Sequence, residues 1–176
     1  MSSRLLLILL SSLATLVIVL GVNSGLSATN SVEFCISCHE MEQTVYQEYK
    51  KSTHFSNASG VRASCTDCHL PPDIFPKIER KLLSVNELYH WVLGTIDTVE
   101  KFEARREILA KRVWQHFEKN DSAECRSCHS YEAMDFKEQS RRAKDKMHDA
   151  AEKGKTCIEC HKGIAHKLPE GYEDDD

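Results

Sequence analysis

The stretch Cys35-Ile36-Ser37-Cys38-His39-Glu40-Met41 sets two thiols, an imidazole and a thioether side by side. All eight cysteines of the chain fall into four such C-x-x-C pairs, and a histidine follows each at once: Cys35/Cys38/His39, Cys65/Cys68/His69, Cys125/Cys128/His129 and Cys157/Cys160/His161. No cysteine is left for a disulfide or a reactive thiol. Two Cys₄ zinc sites would use the same pairs. With 9 histidines in 176 residues, four such placements by accident have odds on the order of one in 10⁵, so the pattern reads as covalent attachment of c-type haem. The cysteines bond the haem vinyl groups, the adjacent histidine stands ready for the iron, and the expected cofactor set is four covalent haem c groups.

Electron-transfer haems usually take two axial ligands, so the histidines outside the motifs matter. His148 lies 19 residues beyond His129, close enough to fold back over that haem. His166 follows the last motif in "CHKGIAH", too near to reach round its own haem, and serves another one. His54, in "KKSTHFSN", reads as a further cross-ligand. His90, beside Tyr89 and Trp91, and His116, on a charged helix, read as ordinary surface or packing histidines.

The elements that hold these groups are expected to be helical, with no significant sheet. Leu5–Val22 is an uncharged run of 18 residues, long enough to span a bilayer. It exceeds the apolar region of a cleaved signal peptide, and Val22-Asn23-Ser24 is a poor cleavage site. Residues 1–26 therefore read as a cytoplasmic tip, with Arg4 on the inner side, and a transmembrane anchor. Residues 27–176 read as a periplasmic tetrahaem domain on a bacterial inner membrane, within reach of lipid-soluble redox carriers. The motif histidines are spaced by 30, 60 and 32 residues, which suggests two di-haem halves, about 31–75 and 121–168, joined by a helical insertion, 76–120. In the insertion Pro76 suits a first helical position. A helix is expected from Lys77 to Leu93, stopped by Gly94, and a second after Asp97-Thr98, where Asp97 and Glu100 resemble a capping box. Val99, Phe102, Leu109, Val113 and Phe117 form its apolar side, and Lys119-Asn120-Asp121 ends it. A third is expected from Asp135 to Lys153, and a short helix after each haem motif. So short a chain without its anchor builds only a modest core, and porphyrins supply much of the rest. The formal charge of −4 omits the haem propionates and says little about partners. No nucleic-acid partner is expected, and the terminal "YEDDD" reads as a solvated tail.

Taken together, "CISCHEMEQTVYQEYKKSTHFSNASGVRASCTDCH", "NELYHWVLGTIDT", "DSAECRSCHSYEAMD" and "TCIECHKGIAH" resemble the NapC/NirT family of membrane-anchored tetrahaem cytochromes c over nearly the whole chain. The resemblance implies that the protein takes electrons from membrane quinol, menaquinol or ubiquinol, and passes them to a periplasmic reductase, most readily nitrate reductase. A passive anchored electron wire serving another reductase is the rival reading. Reduction of a small nitrogen or sulfur oxide at an open haem is weaker still, because the candidate ligands nearly saturate the irons. Relatives that serve trimethylamine-N-oxide reduction carry a further carboxy-terminal haem domain; since this chain ends at Asp176, that subtype is not expected. In a related nitrite reductase subunit the methionine of C-x-x-C-H-x-M ligates the first haem, so the ligand here is Met41, or His39 if the ordinary pattern holds. The same likeness pairs His54 with His161, His148 with His129, and His166 with His69. By composition alone Lys81 and Glu87 are solvated charges on an amphipathic helix that also holds Lys77, Glu79 and Arg80. Relatives place a lysine and an acidic residue at these positions near the first haem, which implies that Lys81 binds a quinol oxygen and that Glu87 approaches the open haem face or takes a proton.

Overall fold

The computed structural model describes residues 2–172. Helix α1 (Ser3–Ala28) is capped by the Ser2 hydroxyl, which accepts from the Leu5 N–H, and none of its side chains is buried. At 26 residues and 1.5 Å per residue it is about 39 Å long, more than a bilayer core. Then come α2 (Val32–Cys35), α3 (His39–Gln43), α4 (Val45–Tyr49), α5 (Cys65–His69), α6 (Ile74–Leu83), α7 (Val85–Val92), α8 (Val99–Glu103), α9 (Arg106–Lys119), α10 (Ala123–Arg126), α11 (Arg141–Glu152) and α12 (Cys157–Cys160), with a 3₁₀ turn at Tyr131–Ala133. There is no strand among the described residues.

Several boundaries depart from the sequence expectation for local reasons. The helix expected over 77–93 is two helices, and Pro76 sits third in α6 rather than first. The break falls at Ser84, whose hydroxyl bonds back to the Arg80 carbonyl at 3.0 Å; a serine bonded this way bends a helix. Gly94 closes α7 with φ +66°. Ahead of α8 it is Thr98, not Asp97, that caps, accepting from the Lys101 N–H. The Asp97 carboxylate is taken by the Lys101 ammonium at 2.8 Å. The second insertion helix is also divided, at Ala104-Arg105, a step that turns Arg106 inward. The third starts at Arg141 rather than Asp135: Asp135 accepts from the Lys137 N–H at 2.9 Å in a local turn, and Ser140 supplies the cap. Of the short helices expected after the haem motifs, α3 follows the first and a 3₁₀ turn the third, whereas α5 and α12 lie on the second and fourth motifs themselves. Residues 173–176 of the tail lie outside the described residues, and Tyr172 packs on Trp114, ring centroids 4.9 Å apart.

Helix α5 packs against both α2 and α10, and α12 against α9, so the motif helices run as one connected series across the insertion. Very little apolar side chain is buried: among the described residues Tyr49, Phe117 and Ile158, with the prolines Pro71 and Pro169. The chain exposes 12573 Å², against about 8,700 Å² for a folded monomer of this size. The excess is shared by the bare α1 and by surfaces that the polypeptide alone does not close.

Candidate functional site

Two motif helices are started by residues inside the motifs themselves. At α5 the Asp67 carboxylate accepts from the Ser64 N–H at 2.6 Å and from its hydroxyl at 2.7 Å. At α12 Glu159 does the same for Thr156, at 2.6 and 2.9 Å. These carboxylates satisfy donors at a helix N-terminus, and they fix the turn that presents both cysteines. The patterns Ser64-x-x-Asp67 and Thr156-x-x-Glu159 were readable as capping signatures. None of the eight cysteines is in a disulfide, and the sulfur of Cys35 lies within hydrogen-bonding reach of Cys65, so the first two motifs adjoin.

The cysteines are not equally enclosed. Six of the haem-attachment thiols are half-buried, but Cys128 and Cys160 are exposed. In the third motif α10 ends at Arg126 and leaves Cys128 in the turn that follows. Its N–H still bonds the Cys125 carbonyl at 3.2 Å, which keeps the two cysteines of the motif on one turn. Its sulfur accepts from the Ser127 hydroxyl at 3.8 Å and lies near Cys68. The polypeptide therefore holds Cys125 against its neighbours and presents Cys128 outward, so a group attached there must cover that side of the motif itself.

The histidines fall into pairs. The rings of His69 and His166 face each other with centroids 6.1 Å apart and planes 27° from parallel. Those of His54 and His129 are 6.2 Å apart with planes at 82°. Two imidazoles ligating one iron from opposite faces, with metal–nitrogen bonds of about 2 Å, would put their centroids about 6.3 Å apart. Both pairs fit that gap. Moreover, Nδ1 of His54 is buried without a hydrogen-bond partner, unusual for a polar atom unless something else engages the ring, while Nδ1 of His166 lies 3.9 Å from Glu48 Oε2. Burial also pushes His69 down to about 4, so its ring is neutral at physiological pH and keeps a lone pair for a metal.

The His166–His69 juxtaposition is the one the resemblance implied. The one for His54 is not: it faces His129, and the reason lies in its loop. The Ala63 N–H bonds the His54 carbonyl at 3.1 Å and the Tyr49 hydroxyl holds the Ala63 carbonyl, which ties His54 to the entrance of α5, and α5 lies on α10. His148, expected opposite His129, instead stacks on Phe136 at 4.5 Å. His161, at the end of α12, is exposed. In the first motif His39 is exposed, with Nδ1 3.7 Å from Glu40 Oε2, and Met41 is half-buried on α3. His90 and His116 are occupied elsewhere: His90 Nδ1 meets the Thr95 hydroxyl at 3.0 Å, and His116 Nε2 meets the buried Glu124 carboxylate at 2.9 Å.

An ion-pair cluster fixes the segment that carries His166. The Arg106 guanidinium grips the Glu48 carboxylate through Nη1 at 3.0 Å and Nη2 at 2.8 Å, and Glu103 through Nε at 2.6 Å and Nη2 at 2.7 Å. Arg106 and Glu48 side chains are 9% and 11% exposed. The Lys167 N–H donates to Glu48 Oε2 at 3.0 Å, and its carbonyl accepts from Arg106 at 3.3 Å. Both backbone polar groups next to His166 are thus held by one buried pair. No short-range pattern announces it, since Glu48 and Arg106 are 58 residues apart.

Lys81 and Glu87 have different surroundings. Lys81 Nζ donates to the Leu26 carbonyl at 3.1 Å and to the Thr29 hydroxyl, at the carboxyl end of α1. Burial lowers its pKa, and the nearby Cys35 opposes the shift. Glu87 lies 3.6 Å from Arg80 Nη2 and lines a groove with His90, Ile96, Leu109 and Arg112 that does not include Lys81.

A helical domain with little core of its own, four C-x-x-C-H motifs, iron-sized gaps between histidines and one long apolar helix defines a membrane-anchored multihaem c-type cytochrome of electron transfer. The comparisons agree: the NapC/NirT cytochrome c family, N-terminal region, matches residues 1–171, and the chain belongs to that family. It is 53% identical over 159 residues to a tetraheme cytochrome-c type protein of Allochromatium vinosum, covering 90% of this chain and 86% of the relative. Identity is 54% to the cytochrome c-type protein NapC of Escherichia coli strain K12 (87% and 76% covered). To the denitrification system component NirT of Stutzerimonas stutzeri it is 52% (89% and 78% covered). No solved structure gives a significant match. The protein carries four covalently bound haem c groups.

Proposed function

We propose that the protein oxidises quinol at the outer face of a bacterial inner membrane and passes the electrons along its haems to a periplasmic reductase, nitrate reductase being the favoured acceptor. The observation that carries this reading is the position of Lys81, which joins the end of the membrane helix to the first haem motif. Each C-x-x-C-H motif holds one haem, whose iron takes and returns one electron at a time. His69 with His166 and His54 with His129 would hold the irons of the second and third haems. By exchange, His148 and His161 fall to the fourth, and Met41 or His39 serves the first. Quinol oxidation releases two electrons and two protons, so the protein's task is to orient the hydroxyls and take up protons. Lys81, released from Thr29, donates to a quinol oxygen, and Glu87 receives a proton. Relatives named NapC and NirT are almost equally similar to this chain, and nitrate reductase is favoured because His166 in "CHKGIAH" agrees with the nitrate branch of the family.

Loss of a charged hydrogen bond of about 1.5–3 kcal/mol corresponds to roughly 10- to 100-fold. Lys81→Ala or Glu87→Gln should slow reduction by quinol by about that much, while haem content and reduction by dithionite stay intact and Lys77→Ala behaves as wild type. Unchanged quinol kinetics in both variants would leave Lys81 as a structural tie and the protein as a passive wire.

A further inference from the structure

Helices α6 and α7 turn most of their charged side chains inward and most of their apolar ones outward, the reverse of a soluble surface helix, with Ile78 half-buried and Asn86 exposed as the exceptions. In α7 the half-buried residues are Glu87 and His90, which line the groove against α9. Val85, Leu88, Tyr89 and Val92 are exposed, Val92 at 74%. In α6, Lys77, Arg80 and Lys81 are half-buried, while Phe75, Leu82 and Leu83 are 82%, 68% and 60% exposed, with Glu79 the exposed charge beside them. The apolar face is not the haem-binding one, because Lys81 lies near Cys35 and Arg80 near His69, both on the polar side.

The level of this face relative to the bilayer is set by Lys81. It binds the carbonyl of Leu26, at the carboxyl end of α1 and four residues past Val22, where the apolar run gives way to Asn23 and Ser24, and so about 6 Å beyond that run. That is the headgroup layer. An apolar helical surface at that height, flanked by Lys77, Arg80, Tyr89 and Trp91, has the make-up of an interfacial segment.

We infer that α6 and α7 form a second membrane contact, lying in the plane of the lipid surface with Leu82, Leu83, Val85, Leu88 and Val92 in the headgroup–acyl boundary beside α1. The partner is the phospholipid bilayer itself. The haem domain is therefore held at two points, and its first motif is set against the lipid rather than swinging on a single tether.

With all eight native cysteines bonded to haem, a single introduced thiol can be labelled cleanly. Val92→Cys and Leu82→Cys, placed at exposed positions in the full-length holoprotein, would carry a nitroxide in phospholipid nanodiscs holding one copy each, with haem spectra checked first. Leu16→Cys marks the bilayer and Lys144→Cys, on α11, marks water. Collision with oxygen and with a water-soluble nickel chelate then reports depth. Labels at 82 and 92 should be open to oxygen and shielded from the chelate, at a depth of about 5–10 Å. Chelate access equal to that at 144 would overturn the inference, and so would shielding from both quenchers, which marks a protein cover. The readout is lipid contact, not quinol turnover, so it stands or falls separately from the quinol site.

Discussion

Replacing Arg106 by alanine should be among the most damaging single changes outside the haem motifs. The substitution leaves the Glu48 carboxylate, 11% exposed, without its bidentate partner, and takes a donor from the Lys167 carbonyl. Removing one member of a buried pair costs about 3–5 kcal/mol, because the remaining charge stays uncompensated. With a urea dependence of about 2–3 kcal/mol/M, the unfolding midpoint should fall by about 1–2.5 M. The assay is urea titration of the detergent-solubilised holoprotein, followed by the low-spin haem bands. Lys111→Ala, which breaks the pair with Glu107 where both side chains are more than half exposed, should shift stability by less than about 1 kcal/mol. The double variant Arg106→Met, Glu48→Leu should recover most of the loss, since it leaves no buried charge. Equal midpoints for Arg106→Ala and Lys111→Ala would refute the argument. So would a double variant as unstable as the single one.

Two further outcomes follow from the same geometry. Near-parallel imidazole planes split the iron orbitals and give a rhombic low-spin resonance, whereas perpendicular planes leave them nearly degenerate and give one large-g feature. His166→Ala, at the 27° pair, should abolish a rhombic signal and His54→Ala, at the 82° pair, a large-g one; the opposite assignment would undo the pairing. Gly163 has φ +75°, and a Cβ there would sit 3.0 Å from Leu168 Cγ, so Gly163→Ala should cost overpacking of about 1–3 kcal/mol beyond the left-handed penalty. Gly154→Ala, at φ +62° with open space around it, should show the penalty alone in the same urea titration.

The haem motifs, the anchor and the all-helical class were legible because each depends on residues close together in sequence. The starts of α5 and α12 were equally legible, through Ser64/Asp67 and Thr156/Glu159, but the cysteines drew attention away from the capping pattern. The outward position of Cys128 was not, since identical C-x-x-C-H spacing gives no sign that α10 stops two residues short of it. Ser84 and Asp135 mark where local side-chain bonds won against helical periodicity, and such contests are close in energy. The meeting of His54 with His129 was hidden, since it depends on a loop closed by Tyr49 and Ala63 and on α5 resting on α10. The Arg106–Glu48 pair was invisible for the same reason: charges are abundant, and nothing local says which two meet.

A domain whose described residues bury little apolar side chain beyond Tyr49, Phe117 and Ile158 has almost nothing to hold it shut before its prosthetic groups arrive. Before haem attachment the polypeptide should therefore be cut readily by added protease, and each attachment event should take cleavable backbone out of reach.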